Sequence, residues 1–136
     1  MPFSYSRTIH FADTDAAGVV FFARYYSICH EAYEEAITAA GLPFKSLFDE
    51  AGTIIPVSKS EAKYLRPLVC GDMLRITLRY ERLTPDSYAI HYELFKLGHP
   101  EKLAAVVRTE HVCISTKSRE RQALAPELEA ALSTLL

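Results

Sequence analysis

The 136-residue sequence lacks the charge excess and the long apolar runs that mark several classes of protein. Its 15 basic and 17 acidic side chains give a formal net charge of -2, whereas nucleic-acid binding rests on clustered Lys and Arg that neutralise phosphates. No apolar run approaches the roughly 18–20 residues that cross a bilayer, and the N-terminus has neither the basic start nor the apolar segment of a secretory signal. We therefore expect a cytoplasmic protein that binds neither nucleic acid nor membranes.

Cysteine is also scarce, and its spacing excludes a disulfide framework and a zinc cluster. Cys29, Cys70 and Cys113 are odd in number, far apart and form no C-x-x-C pair. The histidines include no H-x-x-x-H and no second ligand type at metal spacing. We therefore expect reduced thiols, no metal site, and histidines on strand faces or the surface, with His30 left open as a functional candidate.

The length and composition indicate a single domain that spans residues 1–136. With 49% hydrophobic residues, the chain is within the size that one core usually serves. Small domains often gain stability by burying a face in an oligomer. We therefore expect a homodimer or a tetramer.

Two patterns of different period open the chain. Alternation from Tyr5 to Phe11 predicts a first strand. A helix is then predicted by apolar residues that recur at the i, i+3, i+4, i+7 spacing, namely Tyr25, Ile28, Cys29, Ala32, Tyr33, Ala36, Ile37 and Ala40. Gly41 and Pro43 are typical of the residues that end a helix.

Strand patterns dominate the rest of the chain. After a loop from Pro43 to Gly52 that could hold one helical turn, the predicted strands cover 54–65 with a break near Pro56, then 74–81, 88–94 and 102–115. Pro126 is predicted to begin a short C-terminal helix. Because no helices separate the strands, the fold is predicted to be α+β, with one helix packed on an antiparallel sheet.

The segment Asp13-Thr14-Asp15 lies where the first strand ends and the helix approaches. Free N–H groups at a helix start favour nearby negative charge, so a carboxylate here has an electrostatic partner. The alternative is that either aspartate only forms a turn or caps the helix. An EF-hand is excluded because its fifth and twelfth positions would be Ala17 and Arg24.

Other catalytic arrangements are not supported by the sequence. An aspartyl-phosphate mechanism needs an α/β domain, which this order of elements does not provide. No G-x-S-x-G motif occurs, and the adjacent Cys29 and His30 diverge on a helix.

The run Phe11–Phe22, continuing into Tyr25–Tyr26, closely resembles the active-site segment of hotdog-fold acyl-CoA thioesterases of the 4-hydroxybenzoyl-CoA thioesterase type. The resemblance extends along most of the chain, since Tyr64–Pro67 followed by Gly71–Asp72 looks like the family's approach to its middle strands. Within the family, Cys29–Glu34 looks most like the 1,4-dihydroxy-2-naphthoyl-CoA hydrolases of phylloquinone and menaquinone biosynthesis. The resemblance implies a hotdog fold, with one long central helix wrapped by an antiparallel sheet of about five strands.

The resemblance also implies the catalytic residues. Asp15 matches the family's catalytic carboxylate and would act as nucleophile or general base. The backbone N–H of Phe22, expected at the first turn of the helix, would be the oxyanion donor, a task that suits an N–H at a helix start. Gly18 would let the backbone approach the thioester closely.

Three positions are expected to bind the acyl group. His30 matches a position at which the 4-hydroxybenzoyl enzymes offer a carboxylate to the ring hydroxyl from the neighbouring subunit, and Glu31 lies beside it. A histidine there could still hydrogen-bond a ring hydroxyl. Ile55 matches the strand position that faces the ring and would suit a larger aromatic acyl group.

The family's basic residues for the coenzyme A phosphates are reduced in number here. Arg82 is retained, and Lys117, Arg119 and Arg121 could replace the others. A solvated basic segment is the alternative interpretation of these three side chains.

The sequence therefore predicts a thioester hydrolase that acts on an aromatic acyl-CoA, with water as the second substrate and no cofactor. The first candidate for the acyl group is 1,4-dihydroxy-2-naphthoyl. The alternatives are a short-chain or other aryl acyl-CoA, or a non-catalytic acyl-binding module on the same fold.

Overall fold

The computed structural model describes residues 3–43 and 52–135, and the predicted α+β class is confirmed. In chain order the elements are β1 (Ser4–Thr8), a 3-10 turn (Phe11–Asp13), α1 (Arg24–Ala39), β2 (Thr53–Ile54), β3 (Val57–Tyr64), β4 (Met73–Thr84), β5 (Ser87–Lys96), β6 (Lys102–Val112), β7 (Ile114–Ser115) and α2 (Pro126–Ser133). Most of the predicted loop from Pro43 to Gly52 lies outside the described residues.

The described strands form a five-stranded antiparallel sheet in the order β1-β4-β5-β6-β3, and β2 pairs with β7 in a separate two-stranded sheet. The strands β4, β5 and β6 are consecutive hairpins, as predicted. β3 pairs only with β6 and so forms an edge, with Val57 opposite His111 and Tyr64 opposite Ala105. The ends of β3 therefore mark the two ends of the sheet.

The first strand is shorter than predicted. β1 ends at Thr8, and Phe11 begins the 3-10 turn with its side chain 81% exposed. The Ile9 N–H donates to the Asp72 carbonyl, and the His10 N–H donates to the Asp13 carboxylate. These two hydrogen bonds end the pairing of β1 with β4, and the alternation of side chains in the sequence does not predict them.

The predicted helix is confirmed as α1, and its apolar stripe is the buried one. Its buried residues are Tyr25, Ile28, Cys29, Ala32, Tyr33, Ala36 and Ile37. Ala40 caps the helix and is only half-buried, and Gly41 follows in the left-handed conformation with φ +91°. Glycine adopts this conformation without steric cost, which explains why the helix ends here.

One core joins α1, the alternate residues of β4, β5 and β6, and α2. Pro126 begins α2 as predicted, and Leu128, Ala131 and Leu132 of this helix are buried. Within the described residues α2 is thus a second helix, so the expected architecture is confirmed as a five-stranded antiparallel sheet with helices, and not as a sheet with one long central helix. No helix in the described ranges is long and apolar enough to cross a membrane.

Two predicted strands are interrupted. The strand predicted over 54–65 breaks at Ile55 and Pro56, as expected for a residue without an N–H, and gives β2 and β3. The strand predicted over 102–115 breaks at Cys113, because its N–H donates to the Asp86 carbonyl of the β4–β5 turn. Ile114 and Ser115, the last two residues of the predicted strand, form β7 and pair with β2 instead.

Candidate active site

Asp15 lies at the tip of a tight loop between β1 and α1. Its N–H donates to the Val19 carbonyl at 2.9 Å, and the Gly18 N–H returns to the Asp15 carbonyl at 3.0 Å. The Ala17 N–H donates to Asp15 Oδ1 at 2.9 Å, while Oδ2 has no partner among the described residues. The side chain is exposed, so the loop orients one carboxylate oxygen and leaves the other available to a substrate.

Gly18 is required by the shape of this loop. Its φ of +83° is left-handed, a conformation that side chains other than glycine rarely adopt. A Cβ at this position would meet no atom within 4 Å. The requirement is therefore conformational, and a close approach of this backbone to the thioester stays a prediction.

Asp13, the first aspartate of the motif, is 1% exposed and fully engaged within the protein. Its Oδ2 accepts hydrogen bonds from Arg7 at 2.9 Å and from the His10 N–H at 2.8 Å, and its Oδ1 accepts one from Arg24 at 2.9 Å. Burial alone would raise the pKa of Asp13, but the His10 N–H and the two guanidinium groups outweigh it and lower the pKa. Asp13 thus ties β1, the loop and the start of α1 together.

Phe22 lies in the turn that precedes α1, two residues before Arg24, and not in the first turn of the helix as predicted. The Arg24 N–H donates to the Phe21 carbonyl at 2.8 Å. Because the N–H and C=O of a trans peptide point in opposite directions, this bond turns the Phe22 N–H away from the helix. Among the described residues the Phe22 N–H has no acceptor. It is therefore an amide that can donate to a developing oxyanion.

A pocket of about 270 Å³ opens beside this turn. It lies between the start of α1 and the segment after β3, and Phe22, Tyr25, Tyr64 and Arg66 are among its lining residues. The phenylalanine side chains nearby are exposed, at 45% for Phe21 and 63% for Phe22. The turn that holds the candidate oxyanion donor thus borders an aromatic concavity.

A larger concavity of about 850 Å³ spans β3, β4, β5 and β6. Arg79, His91 and Arg108, which are cross-strand neighbours, are among its lining residues. None of the predicted site residues lines it. We assign the candidate active site to the smaller pocket because Phe22 and Val19 line it, and Asp15 lies on the same loop and is bonded to Val19.

His30 and Glu31 are adjacent on α1 but contact different neighbours. His30 Nδ1 lies 2.8 Å from Glu34 Oε1, and its ring is 5.6 Å from the Tyr33 ring. Glu31 accepts a hydrogen bond from the Tyr5 hydroxyl at 3.3 Å and lies 3.6 Å from Arg7 Nε. Since a helix turns about 100° per residue, the structure does not bring the two side chains together, and Glu31 faces β1.

Arg82 lies at the opposite end of the sheet from Asp15. The loop of Asp15 is joined to the residues before β4, because the Val20 N–H donates to the Leu68 carbonyl. Arg82 is near the other end of β4, which at about 3.3 Å per residue places it roughly 30 Å away. There it pairs with Glu129 of α2 at 2.6 Å.

Ile55, Lys117 and Arg119 also lie far from Asp15 within one chain. Ile55 follows β2 directly and packs half-buried against the core. Lys117 and Arg119 are in the exposed turn after β7, the partner of β2. Ile55, Arg82, Lys117 and Arg119 therefore share one end of the sheet, and the loop of Asp15 lies at the other. Glu31 lies on the side of the catalytic loop, because Arg7 contacts both Glu31 and Asp13.

Three residues of the site were not identified from the sequence. Arg7 and Arg24 flank the D-x-D segment and neutralise Asp13, and basic residues on both sides of the motif were a usable signal. Tyr64 donates its hydroxyl to the Phe22 carbonyl at 3.0 Å. No local pattern connects residues 42 positions apart, so this contact depends on the tertiary fold.

Comparisons with known proteins agree on one family. A family model described as the thioesterase-like superfamily matches residues 9–132. The chain is 39% identical over 130 residues to a protein of Thermosynechococcus vestitus named 1,4-dihydroxy-2-naphthoyl-CoA hydrolase, covering 96% of this chain and 88% of the relative. It is 43% identical over 121 residues to a protein of the same name from Crocosphaera subtropica, covering 89% and 88%.

Solved structures give the same result. A 1,4-dihydroxy-2-naphthoyl-CoA thioesterase from Synechocystis superposes with a TM-score of 0.90 at 29% identity, covering 96% of this chain and 94% of the other. A Staphylococcus aureus protein solved in complex with CoA superposes with a TM-score of 0.86 at 18% identity, covering 99% and 84%, a likeness of fold alone. The architecture is thus the hotdog-like fold of thioesterases, with a five-stranded antiparallel sheet.

Proposed function

The chain belongs to the thioesterase-like superfamily, and we propose that it hydrolyses 1,4-dihydroxy-2-naphthoyl-CoA to the free acid and coenzyme A. Relatives about 40% identical along most of the chain carry the name of this activity. The observation that carries the proposal is the loop between β1 and α1. It presents one available carboxylate oxygen, that of Asp15, on the same short segment as the unpaired Phe22 N–H.

The two groups suit thioester hydrolysis. As the carbonyl carbon is attacked, its oxygen gains negative charge, which the Phe22 N–H is oriented to stabilise. Asp15 either attacks the carbon itself or takes a proton from the attacking water. In the first route the C–S bond breaks as a mixed anhydride with Asp15 forms, and water then hydrolyses this anhydride and frees the Asp15 carboxylate. In the second route water adds to the carbonyl carbon and the C–S bond then breaks. In both routes the coenzyme A thiolate leaves and is protonated. The buried Asp13 carboxylate takes no direct part, because its oxygens are already bound.

We propose that each site is completed by a second copy of the chain. Asp15 and Arg82 are roughly 30 Å apart within one chain, and Ile55, beside the start of β3, lies at the same end of the sheet as Arg82. β3 offers an open edge with unpaired backbone groups, which another strand can cover. A homodimer, alone or as half of a tetramer, would bring the catalytic end of one subunit to the binding end of the other.

The acyl specificity is proposed from two residues, His30 and Ile55. His30 is exposed on α1, the helix proposed to lie at the centre of the fold, and could hydrogen-bond a ring hydroxyl. Ile55 provides an apolar surface for a naphthalene ring. Arg82, Lys117 and Arg119 are proposed to hold the coenzyme A phosphates, although Arg82 would first have to exchange its contact with Glu129.

No metal or organic cofactor is needed for this reaction. Among the described residues there is no group of three or more His, Cys, Asp or Glu side chains that could hold a metal ion. The free thiols of Cys29, Cys70 and Cys113 fit the proposed cytoplasmic location, where thiols stay reduced. We expect activity to survive treatment with EDTA.

A panel of thioesters tests the proposal. The protein is incubated with 1,4-dihydroxy-2-naphthoyl-CoA, benzoyl-CoA and butyryl-CoA, and free thiol release is followed. We expect the highest kcat/KM for the dihydroxynaphthoyl thioester. A preference for butyryl-CoA would show that the substrate is a short-chain acyl-CoA instead. Binding without any thiol release would indicate a non-catalytic acyl-binding module.

A further inference from the structure

Tyr64 connects the end of the edge strand β3 to the turn that carries the candidate oxyanion donor. Its hydroxyl donates to the Phe22 carbonyl at 3.0 Å. Its ring meets the Tyr25 ring edge to face, with centroids 4.9 Å apart. The two N–H groups that follow Tyr64 both donate to the Ala104 carbonyl, at 2.8 and 3.0 Å. Ring packing and backbone bonds therefore hold this hydroxyl in place.

The two peptide groups on either side of Phe22 are both anchored. The peptide before Phe22 carries the oxyanion donor, and its carbonyl is bound by the Arg24 N–H at 2.8 Å. The carbonyl of the peptide after Phe22 is bound by Tyr64. Rotation about the Phe22 backbone, which would change the direction of the N–H, has to break one of these bonds. A donor held in this way does not have to reorganise during the reaction.

Resting on the proposed thioesterase activity, we propose that Tyr64 is a positioning residue, whose hydroxyl fixes the direction of the Phe22 N–H by holding the Phe22 carbonyl. The tyrosine acts through the backbone and does not touch the reacting atoms. Burial and the neighbouring Tyr26 and Cys29 raise the pKa of Tyr64, so its hydroxyl stays protonated at neutral pH and can only donate to a carbonyl.

The Tyr64→Phe variant removes the hydroxyl and keeps the ring contact with Tyr25. Loss of an entire oxyanion donor costs about 100- to 1,000-fold in kcat, and a donor that is present but less well aimed should cost less. We expect kcat to fall about tenfold, with KM changed by less than about twofold. The side chain is 44% exposed, so the thermal midpoint should stay within a few degrees of the wild type.

Tyr80→Phe is the matched control. Tyr80 is buried on β4, its hydroxyl has no hydrogen-bond partner among the described residues, and it lies outside the candidate site. The same chemical change there should leave kcat and KM unchanged. If Tyr80→Phe lowers kcat as much as Tyr64→Phe does, the loss is not specific to the turn and the proposal is wrong.

Infrared spectroscopy gives a second readout. In an Asp15→Asn background that binds benzoyl-CoA without turning it over, the Phe22 N–H should lower the stretching frequency of the bound thioester carbonyl. Adding Tyr64→Phe should return that frequency toward its value in free benzoyl-CoA. An identical shift with and without Tyr64→Phe would show that the hydroxyl does not aim the donor.

The kinetic results distinguish a failure of the positioning role of Tyr64 from a failure of the proposed thioesterase activity. If the wild type releases no thiol from any acyl-CoA, the proposed function fails. If the wild type is active and Tyr64→Phe keeps its kcat, the function stands and the positioning role is wrong. A raised KM at unchanged kcat also overturns the role, because it shows that the hydroxyl binds substrate.

Discussion

Asp13 and Asp15 are two positions apart, yet their carboxylates have opposite surroundings. Asp13 points inward to Arg7, Arg24 and the His10 N–H, whereas Asp15 is exposed at the tip of the loop. Identical side chains therefore differ in what a substitution removes. At Asp13 it removes a structural connection, and at Asp15 it removes the available carboxylate.

We expect Asp13→Asn to lower the free energy of unfolding by about 3 kcal/mol, because it leaves two guanidinium groups without their buried countercharge. Urea denaturation at pH 7 measures the loss. Asp15→Asn is the matched control, since the amide oxygen can still accept the Ala17 N–H. Equal stabilities of the two variants would contradict the structural role of Asp13.

His111 makes stability depend on pH. His111 is 3% exposed, its ring stacks against both Tyr33 and Tyr88, and its Nε2 lies 2.8 Å from Thr109 Oγ1. Burial, with the nearby charge of His30, lowers the pKa of His111 from 6.5 to about 4. As the pH falls, His111 is therefore protonated in the unfolded chain before it is protonated in the folded protein. The stability that is present above pH 6.5 is lost between pH 6.5 and about 4.

We expect this histidine to contribute a slope of about 1.4 kcal/mol per pH unit within that window. Chemical denaturation of the wild type and of His111→Phe across pH 4–7 isolates the contribution, because the carboxylates titrate in both proteins. Parallel stability curves would show that His111 is not held neutral by the fold.

The helix α1 shows how much of an element the spacing of apolar residues can predict. The apolar spacing predicts its buried face residue by residue, because a helix converts sequence spacing directly into a stripe. The same pattern does not distinguish His30 from Glu31 on the polar face. Their neighbours come from distant strands, and only the fold shows that Glu31 is bound by Tyr5 of β1.

Because His30 and Glu31 contact different neighbours, we expect their substitutions to affect substrate choice differently. Truncating a side chain that hydrogen-bonds a ring hydroxyl removes roughly 0.5–1.5 kcal/mol of transition-state binding. His30→Ala should therefore lower kcat/KM for a hydroxylated aryl-CoA more than for the same ring without the hydroxyl. Glu31→Gln should affect both substrates equally. Equal losses for His30→Ala would indicate a packing role for His30.

The strands β1 and β6 both end earlier than the alternation of their side chains predicts. β1 ends early because the Asp13 carboxylate takes the His10 N–H, and β6 ends early because Asp86 takes the Cys113 N–H. Both are competing hydrogen bonds that side-chain alternation does not encode. The hairpins of β4 and β5 were predictable because their alternation and their Pro-Asp turn agree.

For the whole molecule, the main consequence is that one chain separates the catalytic residues from Ile55 and the proposed coenzyme A residues. Exposed apolar side chains, including Phe11 at 81% and Phe22 at 63%, lie at the catalytic end. Together with the open edge of β3 they form a surface that a second copy can cover. The small size of the domain predicts a dimer or a tetramer, but only the fold shows that the two ends of the site lie at opposite ends of β4.

A shared site predicts that activity depends on assembly. Light scattering at micromolar concentration should give at least a dimer, and specific activity should fall on dilution in step with dissociation. A monomer that keeps full activity per chain would contradict the shared site, whatever its substrate.

The most direct test of the central claim compares the wild type with Asp15→Asn on 1,4-dihydroxy-2-naphthoyl-CoA, with thiol release as the readout and thermal unfolding as the check on folding. Acid–base and nucleophilic groups commonly supply a factor of about 100 to 10,000. We expect Asp15→Asn to lower kcat by at least about 100-fold and to leave the thermal midpoint unchanged. A variant that keeps near wild-type turnover would show that Asp15 is not the catalytic carboxylate.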